Sequence, residues 1–98
     1  MVIASTSAYY GIVGYGIISG NRVSGGHNHG IFCNDSANII GNTVYSGGLN
    51  GGIILSAYPT VMDQNTVYGP GPHYVGGGTA TVWAGKSTDN PWGSNAGH

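Results

Sequence analysis

The apolar and polar positions of this chain repeat as a block. Asparagine stands at 21, 42 and 65; three residues before each come Ile18, Ile39 and Met62, and two residues after each come Val23, Val44 and Val67. The steps between the asparagines are 21 and 23 residues. Ten or eleven residues past each asparagine a second apolar position returns as Ile31, Ile53 and Val75, with Cys33 and Leu55 two places beyond the first two. Inside each short run the apolar residues alternate with polar or small ones, which predicts short strands rather than helices. Gly and β-branched residues crowd every helical window, and no apolar stripe holds at 3.6-residue spacing. Separate hairpins, turning at Gly25-Gly26 and Gly47-Gly48, are the rival reading. They give no reason for one Asn-x-Val register to return three times. Stacked coils do, because equal positions then lie above one another about 4.8 Å apart.

On this reading residues 1–15 are an incomplete first coil or N-terminal edge, residues 16–83 are the coils, and residues 84–98 are a polar tail or cap. Asparagine is expected to turn the corner in the left-handed conformation, helped by Gly20 and Gly41, while its amide bonds to the next asparagine along the stack. In the third block Gln64 replaces the glycine, and Tyr58-Pro59-Thr60 is inserted as a loop or strand edge. The pattern loosens at Gly76-Gly77-Gly78 and is restored over Thr79–Trp83. A solenoid exposes a coil at each end. No amphipathic capping helix is legible at either terminus, so the ends are expected to meet the rest of a longer parent chain or partner chains.

The strings Gly30-Ile31-Phe32-Cys33, Gly41-Asn42-Thr43-Val44-Tyr45-Ser46-Gly47 and the return at Gly52-Ile53 resemble the right-handed parallel β-helix repeat superfamily, across roughly residues 11–83. Pectate lyases, polygalacturonases, alginate epimerases and phage tailspikes share that fold. The resemblance implies an all-β, right-handed, single-stranded parallel β-helix of three to four short coils, a hand that parallel crossovers also favour. It implies no single activity, because the superfamily mixes polysaccharide lyases, hydrolases and epimerases with non-catalytic spikes.

Composition narrows the function. The chain has 98 residues, enough for one core, with 20 Gly, 2 basic and 3 acidic residues. Two basic residues, Arg22 and Lys86, make no cationic field for a polyphosphate, so nucleic acid is not an expected partner. No apolar run approaches the roughly 20 residues of a membrane-spanning helix. Met1–Thr6 lacks the basic and hydrophobic regions of an intact secretion signal. The lone Cys33 makes no internal disulfide. A Gly-, Asn- and Tyr-rich surface with few charges fits an extracellular or virion-associated protein.

Candidate chemistry is sparse. His27 and His29 are the best metal candidates, because they share one face of a strand where two imidazoles could hold one cation, and counting from the repeat asparagines puts His29, Asn50 and His73 in one column. His29 and His73 would then be two coils apart, too far to share an ion, and a solvated ladder is the plainer reading. The acids are Asp35, Asp63 and Asp89. Glycoside hydrolysis needs two carboxyls about 5–9.5 Å apart. Asp63 falls in the column of Ser19 and Ile40 whereas Asp35 lies in a later turn, so Asp63 and Asp35 are catalytic candidates without a shared site. No motif calls for a cofactor. The outward positions say more: Phe32 and Ile54 suit a protein contact, and Tyr45 and Tyr68, stacked past the asparagine corner, suit sugar C–H faces. The expected function is a non-catalytic structural or carbohydrate-associated segment of an extracellular or phage tail or spike assembly, homo-oligomeric or part of a longer chain, with polysaccharide as candidate ligand. The alternative is a fragment of a polysaccharide lyase, hydrolase or epimerase whose catalytic acids lie elsewhere.

Overall fold

The computed structural model describes residues 2–5, 10–25, 29–45 and 51–98. Their strands are β1 (Val2–Ser5), β2 (Tyr10–Ser19), β3 (Arg22–Gly25), β4 (His29–Ile40), β5 (Thr43–Tyr45), β6 (Ile53–Leu55), β7 (Thr60–Asp63), β8 (Thr66–Tyr68), β9 (Tyr74–Gly76), β10 (Thr81–Trp83) and β11 (Ala96–Gly97). The described residues contain no helix, and every strand pairing is parallel. β1, β3, β5, β8 and β11 form a 5-stranded sheet in that order. The second sheet has 6 strands, because β2 and β4 each run along two faces. The first half of β4 pairs with β2 and β6, and β6 with β9; its second half pairs with β2 and β7, and β7 with β10. β2 turns between those faces at a register shift between Gly14 and Gly16, and β4 at the exposed Asn34–Ser36. The chain thus visits three faces in rotation, the arrangement of a parallel β-solenoid.

The interior is built from columns of like residues. On the face of β1 they are Val23, Val44 and Val67; on the next, Ile12, Ile31, Ile53 and Tyr74; on the third, Ile18, Ile39, Met62 and Trp83. Cys33, Ala37 and Leu55 complete the core. Each fully buried aliphatic side chain contributes about 1.5–3 kcal/mol. The apolar columns differ from the sequence reading at one point. Val75 pairs with the outward Ile54, and Tyr74 takes the Ile31–Ile53 column, because the connection after β8 is one residue shorter than counting from Asn65 assumes.

The corners also divide their work differently from expectation. The residue in the left-handed conformation is the one before each asparagine: Gly20 at φ 63, Gly41 at φ 65 and Gln64 at φ 54. Gly accepts that conformation without strain, whereas Gln64 carries a cost of order 1 kcal/mol. Freed from turning the chain, the asparagines form an amide ladder. Asn21 Nδ2 donates to Asn42 Oδ1 at 2.9 Å, Asn42 Nδ2 to Asn65 Oδ1 at 3.0 Å, and Asn65 Nδ2 to Asn95 Oδ1 at 2.7 Å. Each amide oxygen also accepts the backbone N–H of the asparagine one coil earlier, at 3.1 Å in all three cases. Asn42, Asn65 and Asn95 are buried, as completed hydrogen bonding permits.

Residues 84–98, expected as a polar tail or cap, continue the solenoid as well as close it. Asn95, 30 residues past Asn65, is a further rung, and β11 pairs with β8. There the ladder ends on a backbone group. The Trp92 carbonyl accepts from Asn95 N–H at 3.1 Å and from Asn95 Nδ2 at 2.8 Å, in place of another amide oxygen. Over the last coil the aliphatic columns give way to rings. Tyr74 meets Trp83 edge-on at 5.4 Å and Trp92 at 4.9 Å, and its hydroxyl donates to the Ala96 and Asn65 carbonyls. These rings close the C-terminal end of the core.

Candidate interaction surface

Three residues past the asparagine corner, side chains leave the coil outward. Tyr45 and Tyr68 occupy that place on β5 and β8, with ring centroids 4.8 Å apart and planes 7° from parallel. The stack continues at both ends. The Arg22 guanidinium lies over the Tyr45 ring, 4.9 Å from its centroid, and the His98 imidazole stacks on Tyr68 at 5.1 Å and 23°. Both Tyr45 faces and both Tyr68 faces are therefore occupied from within the chain. The two tyrosines remain 38% and 37% exposed, which leaves their ring edges and hydroxyls to solvent. C–H stacking on a sugar needs a free ring face, and this stack offers ring edges and hydroxyls instead. His98 was missed in the sequence although a signal existed: it lies three residues past Asn95, as Tyr45 does past Asn42 and Tyr68 past Asn65. Arg22 gave no such signal, since it reaches the stack from two residues ahead of the equivalent Ser24.

Phe32 and Ile54 stand outside the coil as expected, in one row with Val13 and Val75. They are half-buried, with Tyr10 packed on Phe32 at 4.9 Å. The acids do not converge. Asp35 lies at the bend of β4, where its Oδ1 accepts the Ser36 N–H, while Asp63 ends β7 one coil on and accepts a 2.7 Å hydrogen bond from Ser94 Oγ. Asp89 is in the exposed segment after β10. Arg22 is committed to Tyr45, and Lys86 is exposed in that same late segment.

The histidine column is also corrected. His29 pairs with Tyr10 and stacks on it at 5.3 Å, whereas His73, one residue before Tyr74, falls in the column of Gly30 and Gly52. His73 packs edge-on against Trp92 at 5.9 Å, with its Nε2 buried and without a hydrogen-bond partner. His27 and Asn50 lie outside the described residues. Among the described residues no three His, Cys, Asp or Glu side chains gather where they could hold a metal ion. Cys33 is buried and its Sγ donates to the Asp35 carbonyl at 2.9 Å. Among the described residues no helix is long and apolar enough to cross a membrane.

Tyr74 is partly buried among the rings of the last coil. Burial disfavours the phenolate and pushes its pKa well above the ordinary tyrosine value. The folded protein therefore keeps this proton at a pH where the unfolded chain loses it. The contribution of Tyr74 to stability is therefore expected to be fully present below about pH 10 and to be lost as pH rises beyond it. Urea midpoints at about pH 9 and pH 11 check this, and Tyr74→Phe is expected to flatten the difference.

The N-terminal end contrasts with the ring-covered C-terminal end. Along β2, Val13 is 54%, Tyr15 68% and Ile17 76% exposed. A cavity of about 410 Å³ opens there between Ile12, Val13, Ile17, Ile18 and Asn21. Neither a protein-family model, nor a curated protein, nor a solved structure matches this chain.

Proposed function

We propose that the chain is a non-catalytic structural segment of the parallel β-helix kind seen in tailspike-like and pectate-lyase-like proteins, serving in an extracellular or virion assembly. We further propose that it joins a second copy of itself through the β2 edge. The observation that carries the reading is the inequality of the two ends. Edge strands offer unpaired N–H and C=O groups, and natural proteins blunt them with charge, proline or a cover. β2 is ten residues long and contains neither a charged residue nor a proline. Its side chains at 13, 15 and 17 present apolar surface of the kind that marks a partner. The opposite end is covered by Tyr74, Trp83 and Trp92, and its amide ladder is terminated by the Trp92 carbonyl. With these rings packed over the C-terminal end of the core, the contact we propose is two-fold, β2 edge against β2 edge. The separation of Asp35 from Asp63 supports a role without hydrolysis.

Light scattering after size exclusion, over a range of protein concentrations, tests the assembly. The expected species is a dimer that Val13→Lys with Ile17→Lys converts to monomer while circular dichroism is unchanged, since both side chains are solvent-facing. A wild-type monomer at every concentration would overturn the reading.

A further inference from the structure

We infer that Tyr45 and Tyr68 form a site for an oxidative cross-link, joined within one chain by a one-electron oxidant such as a haem peroxidase acting with hydrogen peroxide. The two phenols are held in register by the pairing of β5 with β8, with centroids 4.8 Å apart and planes nearly parallel. Equivalent ring atoms therefore lie about one strand spacing apart. Among the described residues neither hydroxyl is hydrogen-bonded, and more than a third of each side chain is open to solvent. Oxidant thus reaches the phenols, and the released protons pass to water. Arg22 and His98 cover the outer faces of the pair, which denies those faces to a ring from another molecule.

The chemistry balances. Each phenol loses one electron and one proton to give a tyrosyl radical. The two radicals couple through one ring carbon ortho to each oxygen, forming one C–C bond as the rings rotate about their Cβ–Cγ bonds. Each coupled carbon then gives up its hydrogen as a proton while the other oxygen regains one, restoring both phenols. Overall two hydrogen atoms leave the protein, and one hydrogen peroxide becomes two waters. Holding the partners together makes coupling unimolecular and independent of protein concentration. The other exposed tyrosines provide internal contrast: Tyr15 and Tyr58 are 68% and 58% exposed, and among the described residues neither has an aromatic neighbour. Tyr74 is withdrawn into the ring cluster with its hydroxyl engaged by two carbonyls.

The test is peroxidase with hydrogen peroxide on the full chain, followed by dityrosine fluorescence and intact mass. The expected product is a chain lighter by two hydrogen atoms, formed in a yield independent of dilution, whose proteolytic map joins the Tyr45 and Tyr68 peptides. Tyr68→Phe preserves the ring stack and is expected to lower that yield about tenfold or more. Tyr15→Phe and Tyr58→Phe are expected to leave it unchanged. A yield that falls in proportion on dilution, a map joining other tyrosines, or undiminished fluorescence in Tyr68→Phe would overturn the assignment.

Discussion

Asn65→Ala is expected to lower unfolding stability by about 3–5 kcal/mol, a large share of the roughly 5–15 kcal/mol available to a small domain. Asn65 is fully buried, and its amide makes four hydrogen bonds to three residues. Its oxygen accepts from Asn42 N–H and Asn42 Nδ2, and its nitrogen donates to the Ile39 carbonyl and to Asn95 Oδ1. Alanine leaves these groups buried without that partner, at about 1–3 kcal/mol for each one not rescued elsewhere. Asn42→Ala is expected to cost a similar amount, because Asn42 is likewise buried and reaches the Ile18 carbonyl. Asn21→Ala should cost less, since Asn21 is partly exposed and water replaces what the amide supplied. Denaturant midpoints of the three variants decide the matter. Equal losses at 21 and 65 would mean that the ladder stabilises by something other than satisfying buried groups.

The second large effect is expected at Gly52. A methyl group there would stand 2.1 Å from Val67 Cγ1 and 2.9 Å from the His73 carbonyl, closer than a real Cβ approaches either. Gly30 bears the same relation to Val44, at 2.1 Å. In the last coil the sizes are exchanged: His73 takes the glycine column and Gly97 the valine column, and a Cβ on Gly97 would meet His73 Nδ1 at 2.4 Å. Gly52→Ala is therefore expected to destabilise by about 3 kcal/mol, as overpacking of a tight core does. Val67→Ala alone opens a cavity and also destabilises. Combined, the two should cost less than the total of the single variants by about 1 kcal/mol or more, because the shortened side chain yields the space that the new methyl needs. Additive losses in a double-mutant cycle would show that the His73 carbonyl, rather than Val67, sets the limit.

Much of this architecture was legible because a solenoid writes its register into the sequence. Equal spacing placed Ile18 with Ile39 and Met62, Val23 with Val44 and Val67, and Asp63 with Ser19 and Ile40, and the strand pairings put them there. Counting failed where loop lengths changed. The slip at Tyr74 moved Val75 outward and His73 away from the column of His29. The last step of 30 residues hid Asn95, and with it His98 in the tyrosine stack. The corner asparagines were credited with a backbone conformation that belongs to Gly20, Gly41 and Gln64, since sequence adjacency cannot tell the residue that bends from the one that bonds. The stack itself was foreseen as a row of tyrosines. What the sequence could not show is that Arg22 and His98 would occupy its outer faces, which depends on side-chain reach rather than on spacing.

The termination of the amide ladder on the Trp92 carbonyl bears on how such a chain lengthens over generations. A backbone oxygen accepts hydrogen bonds whatever residue carries it, so the terminating contact constrains conformation more than identity. Residues 22–42 begin just after one asparagine rung and end on the next, which makes that segment one whole structural period. A tandem duplication of it adds a rung upstream while the ring-covered end stays as it is. Gene duplication can thus extend this molecule one period at a time without reinventing its terminus.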